Sequence, residues 1–143
     1  MDTPASPCTC FQLRRAARRV SQLYDRHLAA AGLSLNAYSI LRRARQARPL
    51  GELADALGMD RTTLSRNLKP LVNAGLLAME AGRDSRQRQV RLTAQGEQRL
   101  QQAQLPWRQA QDEIESLFGS AAIAGLNRQL EALHRALEPE DPA

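Results

Sequence analysis

Ala54, Gly58 and Leu64 stand at the spacing that lets two short helices cross closely. Small Ala54 leaves room for the crossing helix, Gly58 suits the backbone of a tight turn, and Leu64 plugs the angle between the two. Before the turn, Leu50–Gly58 puts Leu53, Ala54 and Leu57 on one face, with Gly51 as the expected N-cap. After it, Leu64, Leu68 and Leu71 recur at i, i+4 and i+7, a leucine keel along a helix that Asp60 is suited to cap. Arg61, Thr62, Ser65, Arg66 and Lys69 supply arginines, hydroxyls and a lysine away from that keel. Such a helix is either a solvated surface or an element that enters a DNA groove.

The next residues narrow the choice. Pro70 removes one backbone hydrogen bond near the end of the helix, and Gly75 stops it. Leu76–Glu80 and Arg88–Leu92 then read as two strands around the polar stretch Ala81–Gln87, in which Gly82 permits a turn. The result is a β-hairpin with arginines at its tip and along its return strand. A helix-turn-helix followed directly by a basic hairpin is a winged helix, and this order of elements is more specific than any one of them.

Long helices flank that lobe. Cys10, Leu13, Ala17, Val20, Tyr24, His27 and Ala31 alternate at spacings of three and four, one apolar stripe along a helix of about six turns that Gly32 ends. A second helix is expected from Leu35 to about Ala47, capped by Ser34 and closed by Pro49. Thr93 caps a long helix carrying Leu100, Ala103, Trp107, Ala110, Ile114 and Leu117, with a kink expected at Pro106. After the break at Gly119–Ser120, Ile123, Leu126, Leu130, Leu133 and Leu137 form a last stripe. These stripes exceed what one small winged lobe covers, so they fit either a dimer interface or an intrachain helical layer. The expected fold is mainly α with a small β-hairpin wing. Residues 1–143 make one domain, with 1–33 and 98–143 as dimerisation helices and 34–97 as the winged lobe.

Charge sharpens the functional reading. Ser34–Leu92 holds ten Arg and one Lys against five acids, a local +6, whereas Thr93 onward carries −4. Positive charge gathered on the winged segment suits an anionic partner, and arginine suits forked contacts to phosphate and guanine. Arg61 and Arg66 are candidates for guanine; Thr62, Thr63, Ser65 and Lys69 are candidates for phosphate or mixed contacts. Scarce Phe and Tyr argue against a stacking platform for single strands. No apolar run approaches the roughly 20 residues that span a bilayer, and the start lacks a secretory pattern, so a cytoplasmic protein without membrane association is expected. Two histidines without a nucleophile triad or phosphate loop give no support for an enzyme or an organic cofactor.

The motifs Leu53–Gly58, Arg61–Arg66, Leu71–Leu76, Asp84-Ser85-Arg86 and Arg91–Gly96 together resemble the MarR family of bacterial transcription regulators, over nearly the whole chain. The resemblance implies a homodimer whose first and last helices interleave, Leu13, Val20, Ile123, Leu126, Leu130 and Leu133 among the interface residues. It implies two winged lobes on a pseudo-palindromic double-stranded operator, the Arg61 helix in the major groove and Arg86 in the minor groove. Asp84 would brace the hairpin, with Arg88 on its return strand. A repressor is the expectation; an architectural DNA binder without sequence preference is the alternative.

Two kinds of signal are open. The broader family likeness suggests a small aromatic acid bound between the dimer and winged lobes, with His27, Tyr38 and Arg42 as wall residues. The organic-hydroperoxide-sensing branch begins its first helix with a Cys-Phe pair, as Cys10-Phe11 does here, and Tyr24 lies at the offset of a tyrosine that bonds the thiol. The second tyrosine of that pattern is Arg14 in this chain. Cys8 and Cys10 are therefore either redox-active or part of a packed tail. With His27 or His134 they lack a second clustered pair for zinc, so no metal is expected.

Overall fold

The computed structural model of the chain describes residues 3–82 and 87–140. Helix α1 (Thr9–Leu28) begins where the Cys8 sulfur accepts the Phe11 N–H, and passes through a short 3-10 turn, Ala29–Ala31, to left-handed Gly32. Helix α2 (Leu35–Arg43) is capped by the Ser34 hydroxyl, which accepts the Ala37 N–H at 3.1 Å. Helices α3 (Leu50–Leu57) and α4 (Arg61–Asn73) follow, then strands β2 (Leu77–Ala81) and β3 (Arg88–Leu92). Helix α5 (Ala94–Phe118) continues through Pro106, and Gly119, at φ 109°, separates it from α6 (Ser120–Ala136).

Two local expectations need correction. Helix α2 stops at Arg43, four residues earlier than expected, and Arg48–Pro49 forms a short strand, β1. The sheet is thus three-stranded, ordered β1-β3-β2 and antiparallel, with Arg48 opposite Val90 and Met79 opposite Val90 on the other side. Proline is tolerated because β1 is an edge. Gly51 is not a cap either: Pro49 takes the N-cap position and Gly51 lies inside α3. Proline at that boundary has no N–H to leave unpaired, so the helix starts two residues earlier than a glycine cap would allow.

One core joins the lobe to the long helices. Leu28, Ile40, Leu41, Leu53, Leu64, Val90 and Leu100 are fully buried, drawing on α1 through α5 and the sheet. At the join, the Thr93 hydroxyl donates to the Gly75 carbonyl at 2.7 Å and accepts the Gly96 N–H at 3.0 Å. Gly96 itself is buried so closely that an added Cβ would lie 2.2 Å from the Leu76 carbonyl oxygen. That contact sets how α5 leaves the sheet.

Candidate nucleic-acid interface

Helix α4 is built as its residue pattern requires. The Asp60 carboxylate accepts the backbone N–H of Thr63 at 2.7 Å and its hydroxyl at 3.1 Å. These hydrogen bonds hold the Asp60 carboxyl below its ordinary range. Leu64, Leu68 and Leu71 are buried, while Arg61, Thr62, Ser65, Arg66 and Lys69 are exposed. Thr63 differs from its neighbours, since it is half-buried and its hydroxyl is committed to the cap. Pro70 lies within the helix and does not end it.

The turn before α4 holds by backbone chemistry. Gly58 adopts φ 66°, its N–H donates to Asp55 at 3.1 Å, and the Met59 N–H donates to Ala54 at 2.9 Å. Those two bonds form a Schellman ending, which satisfies carbonyls at the end of α3 and turns the chain sharply. Ala54 is 2% exposed and Leu64 fully buried, so the crossing of α3 and α4 is as tight as their spacing demands.

The wing grows from β2 and β3, paired from Leu77–Leu92 to Ala81–Arg88. Gly82 donates its N–H to the Gln87 carbonyl at 2.7 Å, Arg91 pairs with Glu80 across the strands, and Arg88 is exposed. Asp84 and Arg86, the expected tip residues, lie outside the described residues. An exposed polar and basic helix face beside a basic strand is the arrangement of a winged helix that binds DNA.

A helix-turn-helix domain model matches residues 35–80. Among solved structures, the Mycobacterium tuberculosis transcriptional regulator MosR in complex with DNA is 37% identical, covering 90% of this chain and 95% of that one at a TM-score of 0.82. A MarR-family regulator from Rhodococcus sp. RHA1 is 18% identical, with 90% and 96% of the two chains covered and a TM-score of 0.77. CouR from Rhodococcus jostii RHA1, bound to p-coumaroyl-CoA, is 18% identical, with 97% and 100% covered and a TM-score of 0.79. Comparison with curated protein sequences yields no match.

The chain belongs to the MarR family. It is a DNA-binding transcription regulator of the winged-helix type.

In this MarR-family protein a cavity of about 530 Å³ opens between α2 and α5. Tyr38 and Arg42 line it from α2, with Leu100, Gln104, Trp107 and Arg108 from α5. The Tyr38 and Trp107 rings stack with centroids 6.3 Å apart, and the Arg108 guanidinium lies 5.6 Å from the Trp107 ring centre. Arg45 also lines the cavity but is held by Glu97 in a two-bond fork at 2.9 and 3.1 Å. His27, expected in the same wall, instead pairs with Glu113 on α5. Trp107, Gln104 and Arg108 are additions to the expected wall. Their three- and four-residue spacing was the available signal, but Trp107 also fits the apolar stripe.

The cysteines stand at the start of α1, and an apolar groove runs between α1 and α6. Cys8 and Cys10 are free and exposed, and the Cys8 sulfur lies 3.5 Å from the Phe11 nitrogen as the α1 cap. Tyr24 donates its hydroxyl to Gln111 on α5, so the described residues do not bring it to either thiol. Burial, with the Glu115 carboxylate adding to it, pushes the Tyr24 hydroxyl above its ordinary range. Leu13 and Val20 of α1 face Ile123, Leu126 and Leu130 of α6 across an apolar groove floored by Tyr24 and Ile114. Leu13, Leu126, Leu130 and Leu133 stay exposed, and only Ile123 of the α6 stripe is buried.

Proposed function

We propose that the protein is a homodimeric repressor that binds a pseudo-palindromic operator and is released by a small anionic aromatic compound. One observation carries the DNA-reading part of this proposal: α4 presents Thr62, Ser65, Arg66 and Lys69 on its exposed side, and Ser65 and Lys69 line one cleft with Arg88 of the wing. That face enters the major groove, where Arg66 has the fork that matches guanine and the hydroxyls and Lys69 meet phosphates. The wing follows the adjacent minor groove. MosR, the 37%-identical relative, is described in complex with DNA. Support for the dimer is the unpaired apolar surface of α1, α5 and α6, which a second copy covers.

Release follows from geometry. Two α4 helices enter successive major grooves when they sit about 34 Å apart. The α2–α5 cavity lies where the winged lobe meets the long helices, so a ligand that wedges there changes that spacing. Tyr38 and Trp107 supply stacking faces, and Arg42 and Arg108 supply positive charge for a carboxylate. Such a ligand weakens DNA binding by its preference for the other spacing and by nothing else.

A titration of the protein against a duplex from its own upstream region, with and without aromatic acids, tests this reading. Specific binding that aromatic acids relieve is expected, together with a steep fall in affinity as salt rises. Equal binding to every sequence makes it an architectural protein instead and ends the repressor reading.

Oxidation is the second reading, favoured by the exposed thiols of Cys8 and Cys10 at the start of α1. A hydroperoxide transfers one oxygen to a thiolate, leaving as alcohol or water and giving a sulfenic acid that no longer caps or packs as a thiol. Peroxide is then expected to lower DNA affinity, and Cys10→Ser to remove the response. A substituted protein that responds like its parent returns Cys10 to a packing role.

A further inference from the structure

Arg61 opens α4 but does not share the direction of the other polar residues. At about 100° per residue, Arg66 lies roughly 165° from the mean direction of Leu64, Leu68 and Leu71, whereas Arg61 lies only roughly 55° from it. A side chain in that direction leaves the helix along a flank, exposed to solvent, and the structure shows which flank. A Cβ placed on Gly51 would sit 2.7 Å from the Arg61 Nη2, 3.5 Å from its Cζ and 3.6 Å from its Nε. The guanidinium therefore rests against the first turn of α3, in the space that any other residue at position 51 would fill.

The seat has a defined neighbourhood. Arg61, Gly51, Glu52 and Asp55 line one open cleft with Arg88 at the start of β3. Among the described residues no ion pair within 4.0 Å joins Arg61 to Glu52 or Asp55, so what the guanidinium meets on α3 is the open space over Gly51. Arg61 and Arg88 thus stand on the edge of the recognition surface, where the sugar–phosphate backbone passes a helix lodged in the groove. A cation there meets phosphate, which positions the protein and reads no base.

We propose that Gly51 is a positioning residue for DNA binding: its missing side chain seats the Arg61 guanidinium against α3, from where it contacts a phosphate and not a base. This replaces guanine recognition by Arg61 and leaves base reading on α4 to the outward residues. It depends on DNA binding alone and is independent of the effector and of the thiols.

The test uses Gly51→Ala, Arg61→Ala and the double variant in the full chain, measured by fluorescence anisotropy. The probes are a random-sequence duplex and a duplex from the upstream region, each over a salt series. Alanine is a better helix former than glycine, and the atom it meets is the far end of a flexible side chain, so Gly51→Ala is expected to keep or raise the melting temperature. It is nonetheless expected to weaken binding to both duplexes by the same factor, on the order of fivefold, and to flatten the salt slope by about 0.9. Arg61→Ala should do the same, and adding Gly51→Ala to it should cost nothing more. Unchanged affinity of Gly51→Ala overturns the proposal. So does a change in the preference between the two duplexes, which makes Arg61 a base reader. A further loss in the double variant overturns it too, because Gly51 then acts through something other than Arg61. A fall in melting temperature that accounts for the weakened binding assigns Gly51 to folding instead.

Discussion

Replacing Gly96 by Ala probes how the winged lobe is joined to the long helices. The new methyl would start 2.2 Å from the Leu76 oxygen, 2.5 Å from the Leu92 Cδ1 and 3.1 Å from the Leu76 carbonyl carbon. The first of these is backbone, so relief requires the start of α5 to move away from the sheet by roughly 1 Å, given ordinary contact distances of about 3.5 Å. Overpacking of this kind costs about 1–3 kcal/mol. The same movement strains the Thr93 contacts to Gly75, Gly96 and Leu76, at 2.7, 3.0 and 3.2 Å, each worth about 1 kcal/mol. Against this, alanine in a helix gains at most about 1 kcal/mol over glycine. The net expectation is a loss of about 3 kcal/mol. For a chain of this size that lowers the melting temperature by about 10 °C, using roughly 3 °C per kcal/mol. Urea unfolding of both proteins at one fixed concentration measures the difference without confusion from association. A Gly96→Ala protein within 0.5 kcal/mol of the parent, or above it, would show that α5 is not held by this contact.

Other outcomes follow from the same geometry. Because the folded Asp60 carboxyl titrates below its ordinary value of 3.8, its contribution is complete above that value and disappears as pH falls through the lower folded value. The melting-temperature advantage over Asp60→Asn should therefore shrink between pH 7 and strongly acidic solution; a constant difference refutes the linkage. Arg66→Ala is expected to cost about 1–3 kcal/mol against the preferred base pair and to relax specificity at that position, measured with single-base operator variants. Trp107 is the single tryptophan, so an aromatic acid entering the α2–α5 cavity should change its emission. Arg42→Ala should weaken that titration about tenfold, as expected for a charged hydrogen bond; an unchanged curve places the carboxylate elsewhere.

Periodic elements were legible because each states its own burial. The keel of Leu64, Leu68 and Leu71, the caps at Ser34, Asp60 and Thr93, and the left-handed glycines at 32, 58, 75 and 119 all encode local geometry that requires no distant partner. Strand β1 escaped because two residues, one of them proline, carry no periodicity; its pairing depends on Val90 and Gln89, about forty residues away. Thr63 is a candidate for phosphate in sequence, yet the cap that Asp60 was expected to form takes its hydroxyl. The lining of the α2–α5 cavity was legible only in part. Tyr38 and Arg42 stand on one helix, but the choice between His27 and Trp107 depended on how α1, α2 and α5 cross.

The sequence by itself determined the winged helix-turn-helix, its basic middle and its surplus of apolar helix faces, since periodicity, turn chemistry and charge act within a few residues. Only the tertiary structure decided which arginines face outward, which histidine is spent on a carboxylate, and where Arg61 rests. Those outcomes depend on contacts between elements distant along the chain. Gly51 illustrates the difference: in sequence it is a weak cap, and in space it is the seat for an arginine ten residues later.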